Sequence, residues 1–243
     1  AAVAIQPSSG KILAMASSPS YNTNDLLGEN ADETWSALQE QKGTPLLNHA
    51  TQETLPPGSI FKIITTAAGL NNGFNPGSSL TGANSIVLPD SVTELTNYGN
   101  QMCGGSQSVT LQTAFALSCN TAFVEMSESI GADELRKYAE AFGVGEKYDL
   151  GVNSAAGNLG ELADGAQVAQ SAIGQRDVTM SALQAAIMAG TVANKGKRME
   201  PYLINRITDA QMNEIRATKP RQAEQAVTED VANTIKELMY GSE

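Results

Sequence analysis

The sequence predicts an α+β fold, a body of helices with strands near both ends. Three observations carry this. Residues 1–17 hold two apolar runs around a polar turn, the pattern of a β-hairpin. The middle of the chain is a succession of helix-length apolar segments, of which 59–71 is almost wholly apolar. Hydrophobic residues make up 41% and charged residues 17% of the 243, too apolar for a disordered chain and enough to bury the core of one large domain or two intimate lobes.

Taken in order, the runs 3–5 and 12–16 flank the turn Pro7-Ser8-Ser9-Gly10-Lys11. Residues 18–30, rich in Ser, Asn and Pro, predict a loop. Residues 32–41 predict a short helix ended by Gly43 and Pro45, with Trp35 laying an amphipathic face on the domain. Residues 59–71 predict a buried helix, because Ile60, Phe61, Ile63, Ile64, Ala67, Ala68 and Leu70 leave little polar surface. Residues 72–108, dotted with Gly, Asn, Ser and Pro, predict irregular chain with short strands. Three helices are expected over 109–117, 121–129 and 133–142, the last capped by Gly143. A loop over 144–165 precedes a helix over 178–194 closed by Gly196. Residues 201–207 predict a strand, and 228–240 a final amphipathic helix with Thr228 as N-cap.

Composition excludes several function classes. A net charge of −11 with 15 basic residues gives no basic face for nucleic acid. The single His49 excludes a multi-histidine metal site, and two cysteines make at most one bridge, so no metal and no cofactor is expected. The apolar runs fall far short of the roughly 20 residues that span a bilayer. The abrupt apolar opening, Ala1-Ala2-Val3-Ala4-Ile5, suggests a segment of a longer chain.

The candidate chemistry begins at Pro56-Pro57-Gly58-Ser59-Ile60-Phe61-Lys62. Two prolines and a glycine deliver Ser59 to the start of an apolar helix, and Lys62 follows on the same face. A serine needs a base to become a nucleophile. A lysine serves as that base when burial and the positive end of a helix lower its pKa from about 10.4. First-turn N–H groups suit a developing oxyanion. Ser-x-x-Lys is a weak pattern that also occurs at Ser8 to Lys11, and an N-cap serine with a surface lysine is the commoner arrangement. Here the apolar surroundings of Lys62 favour chemistry. The second candidate is Ser118-Cys119-Asn120, small polar residues breaking two apolar helical runs, as in a turn facing a cavity. Ser-x-Asn is also cheap, and Ser20-Tyr21-Asn22 matches it.

Together, Ser59-x-x-Lys62 and Ser118-x-Asn120 resemble the active-site motifs of the penicillin-recognising serine enzymes. Ile12-Leu13-Ala14-Met15-Ala16-Ser17-Ser18-Pro19-Ser20-Tyr21 resembles the early strand and loop of penicillin-binding protein transpeptidase domains. Ala169-Gln170-Ser171-Ala172-Ile173-Gly174-Gln175, leading into 179–184, resembles their segment before a long buttressing helix. The whole chain is similar to this family, and most of all to its actinobacterial class B type.

The resemblance implies an all-helical lobe, around 59–200, plus an antiparallel sheet covered by helices. It implies Ser59 as the acylated nucleophile, Lys62 as its base, Ser118 as a proton relay, and Asn120 with Gln175 as substrate contacts. The implied activity is D,D-transpeptidation of peptidoglycan stem peptides ending in D-Ala-D-Ala, inhibited by β-lactam antibiotics. The expected location is the extracytoplasmic face of the bacterial membrane, with cell-wall or division proteins as partners. That oxidising location permits a Cys103–Cys119 disulfide, worth about 3 kcal/mol in the chain-entropy model. Two departures are expected to matter. The family's Lys-Ser/Thr-Gly motif is absent, Lys42-Gly43-Thr44 being neither in order nor in place. The sequence therefore matches roughly the first two-thirds of a transpeptidase domain, a partial domain over 1–243, with one cleft wall and the membrane anchor outside it. Arg176 stands where many relatives carry glycine.

Other functions compete. A D,D-carboxypeptidase or β-lactamase would pass the acyl group to water, but the Glu161 loop lacks the glutamate–asparagine pattern of class A enzymes. A non-catalytic β-lactam or muropeptide sensor or docking domain is the other alternative. Glu125 and Glu128 read as solvated or core-edge acids, and His49, without triad partners, as structural.

Overall fold

In the computed structural model, which describes residues 1–242, the N-terminal alternation forms a hairpin. Strand β1 (Ala2–Ile5) pairs antiparallel with β2 (Ile12–Ala16), Ala2 opposite Ala16 and Ile5 opposite Ile12. Helix α1 (Ala31–Glu40) buries only Leu38, so it rests on the body with Trp35 half out of the surface. A 3₁₀ turn, Gly58–Phe61, runs directly into α2 (Lys62–Asn71), which is buried from Lys62 to Gly69.

Short strands follow, as expected of residues 72–108. Strand β3 (Ser79–Thr81), β4 (Ser85–Val87), β5 (Glu94–Thr96) and β6 (Ser108–Thr110) pair as β3–β6 and β4–β5, both antiparallel. Val109 therefore lies in a strand, not in the helix expected over 109–117. Thr110 caps the shorter α3 (Leu111–Ala116) by accepting from the Thr113 N–H at 3.1 Å.

Helix α4 (Asn120–Ala141) joins the two helices expected over 121–129 and 133–142. Its only break is at Gly131, whose φ of 76° and ψ of 174° put a kink where the sequence showed a gap. Helix α5 (Gly165–Ala172), capped by Asp164, is one that the sequence reading did not predict. Helix α6 (Ala182–Ala193) starts later than the expected 178–194. Ser181 and Gln184 form a reciprocal capping box, and Met180 exchanges both backbone hydrogen bonds with Leu55, which holds 178–181 extended.

Of the strand expected over 201–207, only Arg206 and Ile207 lie in one, the strand that begins at Arg206. Pro201 has no N–H, and Tyr202 makes a lone parallel bridge to Lys11. Regular pairing lies on either side: β7 (Lys197–Met199), β8 (Arg206–Thr208), β9 (Glu214–Ala217) and β10 (Gln222–Gln225) pair as β7–β10 and β8–β9. Helix α7 (Glu229–Tyr240) is capped by Thr228, as its sequence predicts. The antiparallel pairing among the described residues is thus a set of two-stranded ladders.

Helix α2 is the centre of the molecule. It packs against α4, α5 and α7, with Phe61, Ile64, Phe123, Met126, Ile173 and Ile235 sealed between them. Each such side chain contributes about 1.5–3 kcal/mol on burial. A smaller cluster of Ile12, Tyr148, Leu150, Leu183 and Ile187 fastens the N-terminal hairpin to α6. The tight turn before α2 is therefore mounted on the buried centre of the fold.

Candidate active site

Ser59 is exposed in the 3₁₀ turn that precedes α2, whereas Lys62 is only 3% exposed. The sequence predicts a helix from residue 59; the first turn is tighter than an α-helix. In a 3₁₀ turn, side chains three apart eclipse each other, so the tightening brings Ser59 and Lys62 onto one line. Two features fix the turn. The Gly58 N–H donates to the Gly174 carbonyl at 2.9 Å, and Thr65 Oγ1 donates to the Ala172 carbonyl at 2.6 Å. Gly174, with φ of 69°, lies so close that a Cβ there would collide with the Gly58 carbonyl oxygen. The segment after α5 is thus a backstop for the serine turn.

Across the cleft, Ser118 and Asn120 join α3 to α4. The Cys119 N–H donates to the Ala114 carbonyl at 2.9 Å and the Ser118 N–H to Phe115 at 3.1 Å, a Schellman closure of α3. That closure puts Ser118 at the position glycine prefers, with φ of 55°. A non-glycine residue there carries about 1–2 kcal/mol of strain. Cys119 is buried and bonded to Cys103, with their Cα atoms 5.8 Å apart, so the turn is pinned from behind.

The two halves meet at the lysine. Lys62 Nζ donates to the Ser118 carbonyl at 2.7 Å and to Asn120 Oδ1 at 2.8 Å, and lies 3.1 Å from Ser118 Oγ. It stands 5.3 Å from the centroid of the fully buried Phe123 ring. Every one of these partners is neutral. Burial without a carboxylate penalises the ammonium form, and desolvation lowers the pKa from the usual 10.5 to about 7. The pattern also fits a neutral amine. Two N–H groups serve the two oxygens that can only accept, and the lone pair is left for a hydroxyl.

Ser59, Lys62 and Ser118 line one cleft of about 470 Å³, with Ile60, Phe115 and Met239 as apolar walls. Asn120 is half-buried and reaches the site through Lys62 without lining the cleft itself; its Nδ2 donates to the Thr96 carbonyl at 3.1 Å, which sets the amide so that Oδ1 faces Lys62. Gln175 is exposed, next to the Gly174 backstop, and is not among the cleft-lining side chains. Arg176 also has a left-handed backbone, with φ of 62°, and donates to the Glu161 carbonyl at 3.1 Å. Glu161 is exposed and lies outside the cleft walls. Glu125 instead accepts from the Thr81 N–H, Glu128 is exposed, and buried His49 bridges the Gly43 carbonyl at 3.0 Å and Glu53 at 3.1 Å. Among the described residues no three or more His, Cys, Asp or Glu side chains gather as a metal site requires.

The sequence matches the penicillin binding protein transpeptidase domain over residues 1–243. The chain belongs to the penicillin-binding protein transpeptidase family. Within it, the chain is 45% identical over 246 residues to the peptidoglycan D,D-transpeptidase PbpA of Mycolicibacterium smegmatis, covering 99% of this chain and 50% of that protein. It is 42% identical over 247 residues to PbpA of Mycobacterium tuberculosis, again covering 50% of the relative. The chain thus spans about half the length of the curated relatives it matches. The fold superposes on penicillin-binding protein A from M. tuberculosis, solved as an imipenem acyl-enzyme complex, with a TM-score of 0.97 at 42% identity, over 99% of this chain and 56% of that one. The D,D-transpeptidase domain of a peptidoglycan glycosyltransferase from Eggerthella lenta matches at a TM-score of 0.89 and 25% identity, over 99% of this chain and 60% of that one. The α+β architecture predicted for a penicillin-binding protein domain is thus the one observed.

Sequence reasoning missed three contributors to the site. Gly174 lies inside the family-like segment 169–175, and Phe123 inside the apolar helical run that follows Asn120. Asn97 belongs to no motif. Only Gly174 carried a local signal, as the glycine that ends an apolar helical stretch.

Proposed function

We propose that the protein is a serine D,D-transpeptidase that crosslinks peptidoglycan stem peptides through a Ser59 acyl-enzyme and is acylated in the same way by β-lactams. The observation that carries this reading is the buried Lys62, held among neutral partners one 3₁₀ turn from an exposed serine.

Neutral Lys62 takes the Ser59 hydroxyl proton as Oγ attacks the carbonyl carbon of the penultimate D-alanine. The helix N-terminus favours the negative charge that develops on the carbonyl oxygen. The Ser118 hydroxyl, 3.1 Å from Lys62 Nζ, relays the proton to the nitrogen of the leaving D-alanine as the C–N bond breaks. Asn120 holds the substrate amide with the second N–H of its Nδ2, the first being given to the Thr96 carbonyl, and Gln175 contacts the substrate further along. An amine from a second stem peptide then attacks the ester carbonyl, Lys62 takes its proton and passes it to Ser59 Oγ as the ester C–O bond breaks, which restores the free serine and the neutral lysine. In a β-lactam the leaving nitrogen stays tethered by the opened ring.

The reading places the activity on the outer face of the membrane, where peptidoglycan is built, alongside other cell-wall proteins. No helix among the described residues is long and apolar enough to cross a membrane. The oxidised Cys103–Cys119 bridge belongs to the same setting; two alkylatable thiols in the unreduced protein would overturn it.

Intact-mass analysis after incubation with penicillin tests the nucleophile. The expected result is one penicilloyl adduct on the wild type and none on Ser59→Ala. An adduct of equal stoichiometry on Ser59→Ala refutes the assignment. Crosslinking of a donor and an acceptor peptide, set against release of free acid, separates transpeptidase from carboxypeptidase and from a sensor that is acylated and stops.

A further inference from the structure

The N-terminus of α4 carries Asn120 on its first residue, yet its own N-cap residue, Cys119, makes no side-chain capping bond. Four N–H groups at such an end need partners. One partner comes from far away in the chain. Asn97, directly after β5, is only 7% exposed, and its Oδ1 accepts from the Thr121 N–H at 3.1 Å. Its Nδ2 donates to the Ala83 carbonyl at 2.8 Å and to the Gln101 carbonyl at 3.2 Å, and lies 3.1 Å from Thr121 Oγ1. Thr121 Oγ1, fully buried, donates to the same Ala83 carbonyl at 3.0 Å. Asn97 is therefore a knot that ties residues 83 and 101 to the second residue of α4.

The knot brackets Asn120 on both sides. Thr121, the residue after Asn120, is held through its backbone N–H. Thr96, the residue before Asn97, supplies the carbonyl that accepts from Asn120 Nδ2 at 3.1 Å. That contact decides which end of the amide faces Lys62, because an amide that gives its NH₂ to a carbonyl must turn its oxygen the other way. The oxygen so directed is the one 2.8 Å from Lys62 Nζ.

We infer that Asn97 is a positioning residue for the acylation reaction: it fixes the Thr96 carbonyl and the Thr121 N–H, and through them the orientation of the Asn120 amide against Lys62. The inference rests on the acyl-enzyme reading given above. It predicts a change of chemistry with substitution at a residue that lines no part of the cleft. Misplacing a reacting constellation by about 1 Å costs on the order of 100-fold in rate. Loosening the α4 start also admits water to Lys62, which relieves the desolvation that depresses its pKa.

The test measures the acylation rate constant with a fluorescent penicillin from pH 5.5 to 9, on the full-length protein, at a temperature where each variant is folded by circular dichroism. Asn97→Ala is expected to acylate about 10- to 100-fold more slowly per folded molecule, and the midpoint of its pH profile is expected to move upward. Thr121→Val keeps the side-chain volume and removes one hydroxyl from the knot. It is the milder second perturbation, expected to slow acylation about threefold, and Thr121→Ser, which keeps the hydroxyl, is expected to acylate at the wild-type rate. A purely structural role predicts a lowered melting temperature with the rate and the midpoint unchanged in both variants, and that result overturns the inference while leaving the acyl-enzyme reading intact. A wild type that takes up no penicillin overturns both.

Discussion

The burial of Lys62 makes a prediction with two independent readouts. With a pKa of about 7, roughly half of the lysine is neutral at pH 7. An ordinary lysine would be neutral about once in three thousand molecules at that pH, so the site gains about three orders of magnitude in available base. The acylation rate should therefore rise about tenfold per unit below pH 6, bend near pH 7 and level off above pH 8, measured with a fluorescent penicillin under single-turnover conditions. Stability carries the opposite face of the same shift. Between pH 7 and 10.5 the unfolded lysine holds a proton that the folded one does not, so the lysine's contribution to stability rises with pH through that window. The depression is equivalent to about 5 kcal/mol, spread over those pH units. Lys62→Met, similar in length and without a charge, should lose acylation altogether. It should be more stable than the wild type at pH 6, with the advantage shrinking steadily toward pH 10 in chemical denaturation. A wild-type acylation profile with its midpoint near 10, or a stability difference that does not change with pH, would refute the claim that desolvation of Lys62 prepares the base.

Two further substitutions separate strain from chemistry. Ser118 occupies a left-handed position in the closure of α3, so Ser118→Gly should raise the unfolding free energy by about 1 kcal/mol while slowing acylation at least tenfold, since the hydroxyl beside Lys62 is gone; a variant that is both more stable and fully active would remove Ser118 from the reaction. Gly174→Ala should do the reverse of a neutral loop change. The added methyl group meets the Gly58 carbonyl in a backbone conformation that alanine resists, so a loss of 2 kcal/mol or more and a displaced Ser59 turn are expected, read as a lower melting temperature together with slower acylation per folded molecule.

How much of this was legible in the sequence depends on the range of the interaction. Ser59 and Lys62 were legible because their relation is local: the prolines and glycine that deliver the turn, the three-residue spacing and the apolar run that buries the lysine all lie within one short segment. The cap of α7 at Thr228 was legible for the same reason, as were the hairpin of β1 and β2 and the buried face of α2. Apart from α5, whose cap at Asp164 is a local signal, what failed failed at long range. Residues 178–181 look helical in isolation, but Met180 is claimed by Leu55, more than a hundred positions earlier, and the helix has to start after it. Tyr202 sits in a strand-like run, yet its partners are Gly10 and Ile12, and a single bridge holds it while regular pairing starts only at Arg206. The site shows the same division. Lys62 meets Ser118 and Asn120 across 56 and 58 residues, which no spacing rule in the sequence predicts, and only the joint resemblance of the two motifs brought them together. Asn97 had no such motif. A buried asparagine whose importance lies in three backbone partners and one hydroxyl looks, in sequence, like any turn asparagine near a glycine. Its environment distinguishes it, since it caps a helix that does not cap itself, and that helix begins with the residue that faces the base. The long-range contacts that are hardest to read from the sequence are therefore the ones that convert two inexpensive motifs into a reactive site, and substitutions away from the cleft should separate a merely acylable serine from one acylated at its full rate.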